Sequence, residues 1–191
     1  MPGDYVTDEE RAFGMEVLLE NAVICLGEND IDNAYMNLEE AAGMEPTKGE
    51  RVQILRLLRT ASKGFDKRAA SLARGCRFDE AEAEWEKPIG LVEKLGYAEQ
   101  GEGLRKSARE KIRGYASGFI APCIMSAVDG LLMLNRYITG LNGSRPNREA
   151  TLQALYCSAA KFYMAGDRAS YRQAMEGIES IRSSPAHNET R

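Results

Sequence analysis

The run Gly114-Tyr-Ala-Ser-Gly-Phe-Ile-Ala-Pro-Cys-Ile-Met-Ser-Ala-Val-Asp-Gly-Leu-Leu-Met-Leu-Asn135 decides the fold of this 191-residue chain. It is bounded by Arg113 and Arg136 and carries one charge, Asp129. A membrane span needs roughly 20 strongly apolar residues. This run is long enough, but Pro122 and Asp129 interrupt it, and Gly114, Ser117, Gly118, Ser126 and Gly130 dilute it. A carboxylate at mid-bilayer costs about 2.5–3.5 kcal/mol. A helix that is apolar on all sides belongs in the interior of a soluble protein. Pro122 suits the first turn of a helix, where its missing N–H costs nothing. The pattern therefore predicts a buried central helix over residues 122–141, with no membrane span. Asp129 is either a core-edge acid paired with an arginine, the commoner arrangement, or a site residue.

Working outward, nearly everything else reads as amphipathic helix, and no alternating strand pattern occurs. Helices are expected over about 8–26, 31–43, 48–74, 78–95, 104–119, 148–165 and 168–181. In 48–74, Ile54, Leu57, Leu58, Ala61, Phe65, Ala69 and Leu72 share one face at 100° per residue. Pro88 should kink the fourth helix or start a short new one. The three glycines of 96–103 suggest a connection. Asn142 to Asn147 reads as a loop, and residues 1–7 and 184–191 read as disordered ends. The expected fold is all-α, about eight helices in antiparallel hairpins around the central helix, in a single domain over 1–191. That length is sufficient for a core without staples.

Four cysteines, Cys25, Cys76, Cys123 and Cys157, lie far apart, and the only histidine is His187. Zinc ligation has no basis in this spacing. Buried reduced thiols in a cytoplasmic protein are the expectation, and residues 1–19 show no signal-peptide pattern. On that reading the sequons at Asn142 and Asn188 carry no meaning.

The formal net charge of −4 is unevenly spread. Residues 1–47 hold twelve acids and one base, whereas residues 48–77 hold nine bases and two acids. Residues 78–100 return to a net of −5, and residues 101–150 to +4. On the third helix Arg56, Arg59, Lys63, Lys67 and Arg74 fall opposite the apolar face, a stripe about 27 Å long at 1.5 Å per residue. Three uses are open. Neighbouring helices could complement one another, each exposed pair adding a few tenths of a kcal/mol. Two copies could meet, acidic end to basic helix. The stripe could also meet an external anion, nucleic acid included, although the sequence pI of 5.3 and the lack of interleaved aromatics speak against nucleic acid.

Three segments share a helix–tight turn–helix form: Ala22 through Asn29-Asp30 to Ala34, Leu38, Ala41 and Pro46; Ala69 through Arg77-Phe78 to Ala81 and Trp85; and Ala159 and Phe162 to Gly166-Asp167. This resembles the tetratricopeptide repeat, the first segment most. Turns near 29, 76 and 166 depart from that family's 34-residue period, and Pro88 stands where the family has a small helix former. The resemblance implies a helical scaffold that binds peptide or protein on a concave face.

The residue patterns that usually carry catalysis in helical proteins do not occur in this sequence. A di-iron bundle needs Glu-x-x-His, absent here. A Ser/His/Asp set would depend on His187 alone. Gly101-x-Gly103 follows no strand and is no phosphate loop. The carboxylates of Asp79, Glu80, Glu82, Glu84 and Glu86, with Asp30 and Asp32, could hold a divalent cation but more often form a solvated face. Tyr156, Phe162, Tyr163 and Tyr171 could floor a ligand pocket but more often form core. The expectation is a cytoplasmic, non-enzymatic interaction or scaffold protein without cofactor or metal. It would be homodimeric or bind a protein partner through the α-helical stripe. A nucleic-acid-associated factor is the first alternative and a carboxylate/Mg²⁺ enzyme the second.

Overall fold

The computed structural model describes residues 7–139 and 147–184. Among them the chain is all-α, with eight helices and no strand. These are α1 (Asp8–Gly27), α2 (Ile31–Gly43), α3 (Lys48–Arg74), α4 (Phe78–Lys94), α5 (Ala98–Ile120), α6 (Asp129–Thr139), α7 (Arg148–Ala165) and α8 (Arg168–Ser183). No helix among the described residues is long and apolar enough to cross a membrane. The expected loop at Asn142 and most of both expected disordered ends lie outside the described residues, as do both sequons and His187.

Helix ends follow local chemistry. Thr7 and Glu10 form a reciprocal capping box at α1, and Thr47 and Glu50 repeat it at α3, with Glu50 Oε2 accepting from Thr47 N at 2.6 Å. Such caps occupy two of the four N–H groups a helix start leaves unpaired. Asp30, Asn147 and Asp167 cap α2, α7 and α8 through their side-chain oxygens.

Four turns close in the same way. The N–H groups of Asp30, Arg77, Tyr97 and Asp167 reach back five residues, to the carbonyls of Cys25, Leu72, Val92 and Phe162, at 2.8–3.2 Å. The residue before each has positive φ: Asn29, Cys76, Gly96 and Gly166. This is the Schellman closure, which satisfies the last carbonyls of the incoming helix. Three of these turns match the sequence reading. The fourth corrects it: the chain turns only at Gly96 and Tyr97, and Gly101 and Gly103 lie inside α5. Pro88 likewise lies inside one helix, α4, which continues to Lys94.

The helices fall into two compact units, residues 1–71 with 79–109, and residues 72–78 with 110–191. In the first, α1 packs on α2. Met15, Leu19 and Ala22 of α1, Leu38 and Ala41 of α2, Ile54 and Leu58 of α3, and Leu91, Val92 and Leu95 of α4 form one buried cluster. The predicted apolar face of α3 is the buried one, with Ile54, Leu58, Ala61, Phe65 and Ala69 inside. Gly64 permits close approach, since a Cβ there would lie 2.6 Å from Ile31 Cγ1.

In the second unit α7 packs on α8 and α6 packs on α7. Its core holds Ile112 and Ala116 of α5, Leu155 and Ala159 of α7, and Tyr171, Ala174, Ile178 and Ile181 of α8. Phe78, Phe119, Tyr156, Tyr163 and Tyr171 form a chain of ring contacts with centroids 4.8–6.2 Å apart. Of the four aromatics singled out in the sequence, Tyr171 is buried in this core, whereas Tyr156, Phe162 and Tyr163 are half-buried.

The central helix is the main correction. Residues 121–128 are turn and irregular backbone, and helix begins only at Asp129. Ile124 is 103% exposed, Val128 55%, Leu132 54% and Ile138 62%. Only Gly130 of α6 is buried. Periodicity misled because Pro122 and the small residues around it permit a non-helical strap, and disulfide and hydrogen bonds hold that strap on α7. Cys123 is bonded to Cys157, with Cα atoms 6.3 Å apart. Lys161 Nζ donates to the Met125 carbonyl, and Gly130 N donates to Ser158 Oγ at 3.2 Å. A Cβ on Gly130 would come within 2.6 Å of the Ala154 carbonyl oxygen. The expectation of four reduced thiols fails for this pair; Cys25 and Cys76 remain thiols.

Candidate interaction surface on α3 and α1

Helix α3 places Arg56, Arg59, Lys63 and Lys67 on one exposed strip of the first unit. Arg74, also exposed, stands in the last turn of α3, among the residues of the second unit. None of these five cations has a hydrogen bond or ion pair among the described residues.

Other arginines of the first unit contrast with them. Arg11 reaches Glu50 at 3.3 Å. Arg68 holds Asp32 through two bonds of 2.7 and 2.9 Å, and its Nε lies 3.1 Å from Glu84 Oε2. That second contact is close as an ion pair but misaligned as a hydrogen bond. Arg105 gathers Glu86, Glu93 and Glu102 at 2.5–3.2 Å. The guanidinium of Arg68 holds the Asp32 carboxyl below its usual range, and Arg105 does the same to Glu93. The bases of 48–77 therefore divide by face. Arg68 complements α2 and α4, whereas the stripe complements no neighbouring helix among the described residues.

Beside the stripe lies a groove of about 530 Å³ between α1 and α3. Its walls include Ala12, Met15, Leu19, Val23 and Ile24, with Glu16 and Glu20 on α1 and Gln53 on α3. At 100° per residue, Arg56 lies 60° round α3 from Gln53, so the first cation of the strip stands beside the groove, whose other α3 wall residue is Glu50. Carboxylates border it on both sides, Glu16 and Glu20 from α1 and Glu50 from α3. Phe13 and Val17 add exposed apolar surface to α1. Sequence reasoning missed this groove. The signal was present in the apolar runs at 17–19 and 22–26, which are too wide for one buried face.

The carboxylates considered for a cation are engaged elsewhere. Asp30 caps α2, Asp32 meets Arg68, Glu84 meets Arg68 and Lys87, and Glu86 meets Arg105. Asp79, Glu80 and Glu82 also have partners. Among the described residues no group of three or more His, Cys, Asp or Glu could hold a metal ion. Among the described residues Asp129 is not paired with an arginine; its Oδ2 accepts from Ser126 N at 2.6 Å.

No protein-family profile, no curated protein and no solved structure matches this chain.

Proposed function

We propose that this chain is a non-enzymatic interaction module, a scaffold or adaptor. In this reading it holds a protein partner against α3 and the adjoining α1–α3 groove, and it self-associates as a homodimer. The observation that carries the proposal is the contrast on α3: Arg68 is neutralised by Asp32 and Glu84, while Arg56, Arg59, Lys63 and Lys67 face solvent without a partner among the described residues. A row of cations fixed on a 27-residue helix selects acidic surfaces and accelerates encounter more than it adds affinity. The apolar groove beside it supplies the desolvated contact that affinity needs. The resemblance to tetratricopeptide hairpins points to the same class of function.

Nucleic acid is the weaker reading for the stripe, because Glu16 and Glu20 stand across the groove from it and would repel a phosphate backbone. A carboxylate/Mg²⁺ enzyme has still less support, given the arginines that hold Asp32, Glu84 and Glu86. Cytoplasmic residence loses the ground it had in four reduced thiols, since disulfides such as Cys123–Cys157 persist mainly in oxidising compartments.

The test is a comparative pull-down from native lysate. Wild type and the Arg59→Glu/Lys63→Glu variant are used as baits at two ionic strengths. The proposal expects proteins that wild type retains and the variant releases, with retention falling as salt screens the stripe. Identical recovery by both baits contradicts it, and recovery of nucleic acid in place of protein favours the alternative.

A further inference from the structure

The outer side of α6 has the character of a contact surface. Leu132 and, just before the helix, Val128 lie 40° apart at 100° per residue and are more than half exposed; Ile138, also exposed, lies 120° round from Leu132, and Ile124 projects fully from the strap that leads into the helix. The inner side is fixed. Cys157, Ser158 and Lys161 of α7 hold the strap and the first turn, and Leu134 lies over Gly177 of α8, where a Cβ would collide with it. An apolar face held on so firm a backing loses little entropy when it is covered.

The charges on α6 identify what covers it. Asp129 and Arg136 are seven residues apart, so they occupy the same flank of the helix, about 10 Å from each other along its axis. In a two-fold antiparallel pairing of α6 with a second copy, each Asp129 comes opposite the partner copy's Arg136, and the axis passes near Leu132. The same patch then serves both subunits, as an isologous contact requires. The helix dipoles also oppose one another in that arrangement.

We infer that the exposed face of α6, centred on Leu132 and flanked by Asp129 and Arg136, is the homodimer interface, its occupant being α6 of a second copy. This rests on the self-association reading above and assigns it to a surface other than the α3 stripe.

Sedimentation velocity of the oxidised full chain across a concentration series tests the inference. Wild type is expected as a concentration-dependent dimer. Leu132→Asp is expected to be monomeric, with its helical circular dichroism retained because Leu132 is exposed. Arg136→Glu, which sets like charges opposite one another, is expected to weaken the dimer on the order of tenfold, and Arg136→Lys to restore it. Arg59→Glu should leave the mass unchanged. Should Leu132→Asp fail to fold, the surface substitution Arg136→Glu decides the matter alone. A dimer unaffected by Leu132→Asp and Arg136→Glu overturns the inference but leaves self-association standing. A wild-type chain that stays monomeric throughout overturns both.

Discussion

The hydroxyl of Tyr171 accepts a hydrogen bond from the backbone N–H of Phe78 at 2.8 Å. The same hydroxyl donates to the Cys76 carbonyl at 2.8 Å. One α8 side chain thus satisfies two buried backbone groups at the turn into α4, where Cys76 holds a positive φ of 64°. Tyr171→Phe keeps the ring and removes both bonds. Stranding buried backbone groups costs about 1–3 kcal/mol each, so a loss of at least that size is expected in chemical denaturation. A loss within experimental error would mean that water replaces the hydroxyl.

Gly130→Ala tests the seat of α6. The added Cβ meets the Ala154 carbonyl at 2.6 Å, which is backbone and has little room to yield. Overpacking of this kind costs about 1–3 kcal/mol. Thermal unfolding should show the loss, although alanine is the better helix former. An unchanged or raised melting temperature would mean that α6 does not sit this close to α7.

The Cys123–Cys157 bond spans 34 residues. Chain-entropy reasoning gives a closed loop of this size about 3–4 kcal/mol. Reduction, or Cys123→Ser, should lower stability by a comparable amount. The thiols give a second readout. Burial pushes the Cys76 thiol up to about 12, whereas Cys25 is half-buried. Alkylation of the native oxidised chain at neutral pH should therefore label Cys25 and spare Cys76. Four thiols labelled without reductant would remove the bond.

Much of the helical framework was legible in the sequence and the site only in part. The bounds of α2, α3 and α7 follow from capping residues, apolar periodicity and turn residues, all encoded locally. The turn at 75–77 was legible although Cys76, not glycine, takes the left-handed position. Residues 114–135 misled because apolar content alone does not distinguish a core helix from a strap held on α7 by Cys157, Ser158 and Lys161. Those tethers lie 28 to 36 residues away in the chain, beyond any local pattern. The stripe could be read from α3 by itself. Its lack of ionic partners among the described residues could not, because that depends on Arg68 facing α2 and α4 instead.

Stability should fall on acidification in a definite window. Asp32 is held below its usual range by Arg68, Glu93 by Arg105, and Glu50 chiefly by the Thr47 N–H. A carboxyl depressed in the folded state contributes stability above its unfolded pKa and loses it as pH falls through the folded value. The loss should set in below about pH 4, the ordinary carboxylate range. Denaturant midpoints measured down that range should decline, and less so for Arg68→Met. A slope unaffected by that substitution would put the acid dependence elsewhere.

Hydrogen–deuterium exchange tests the central assignment most directly, with the chain alone compared with the chain bound to the partner it captures. Protection is expected along residues 56–67 of α3 and 12–24 of α1, and it should disappear with Arg59→Glu/Lys63→Glu. Protection confined to other helices, or surviving the charge reversal, would contradict the account.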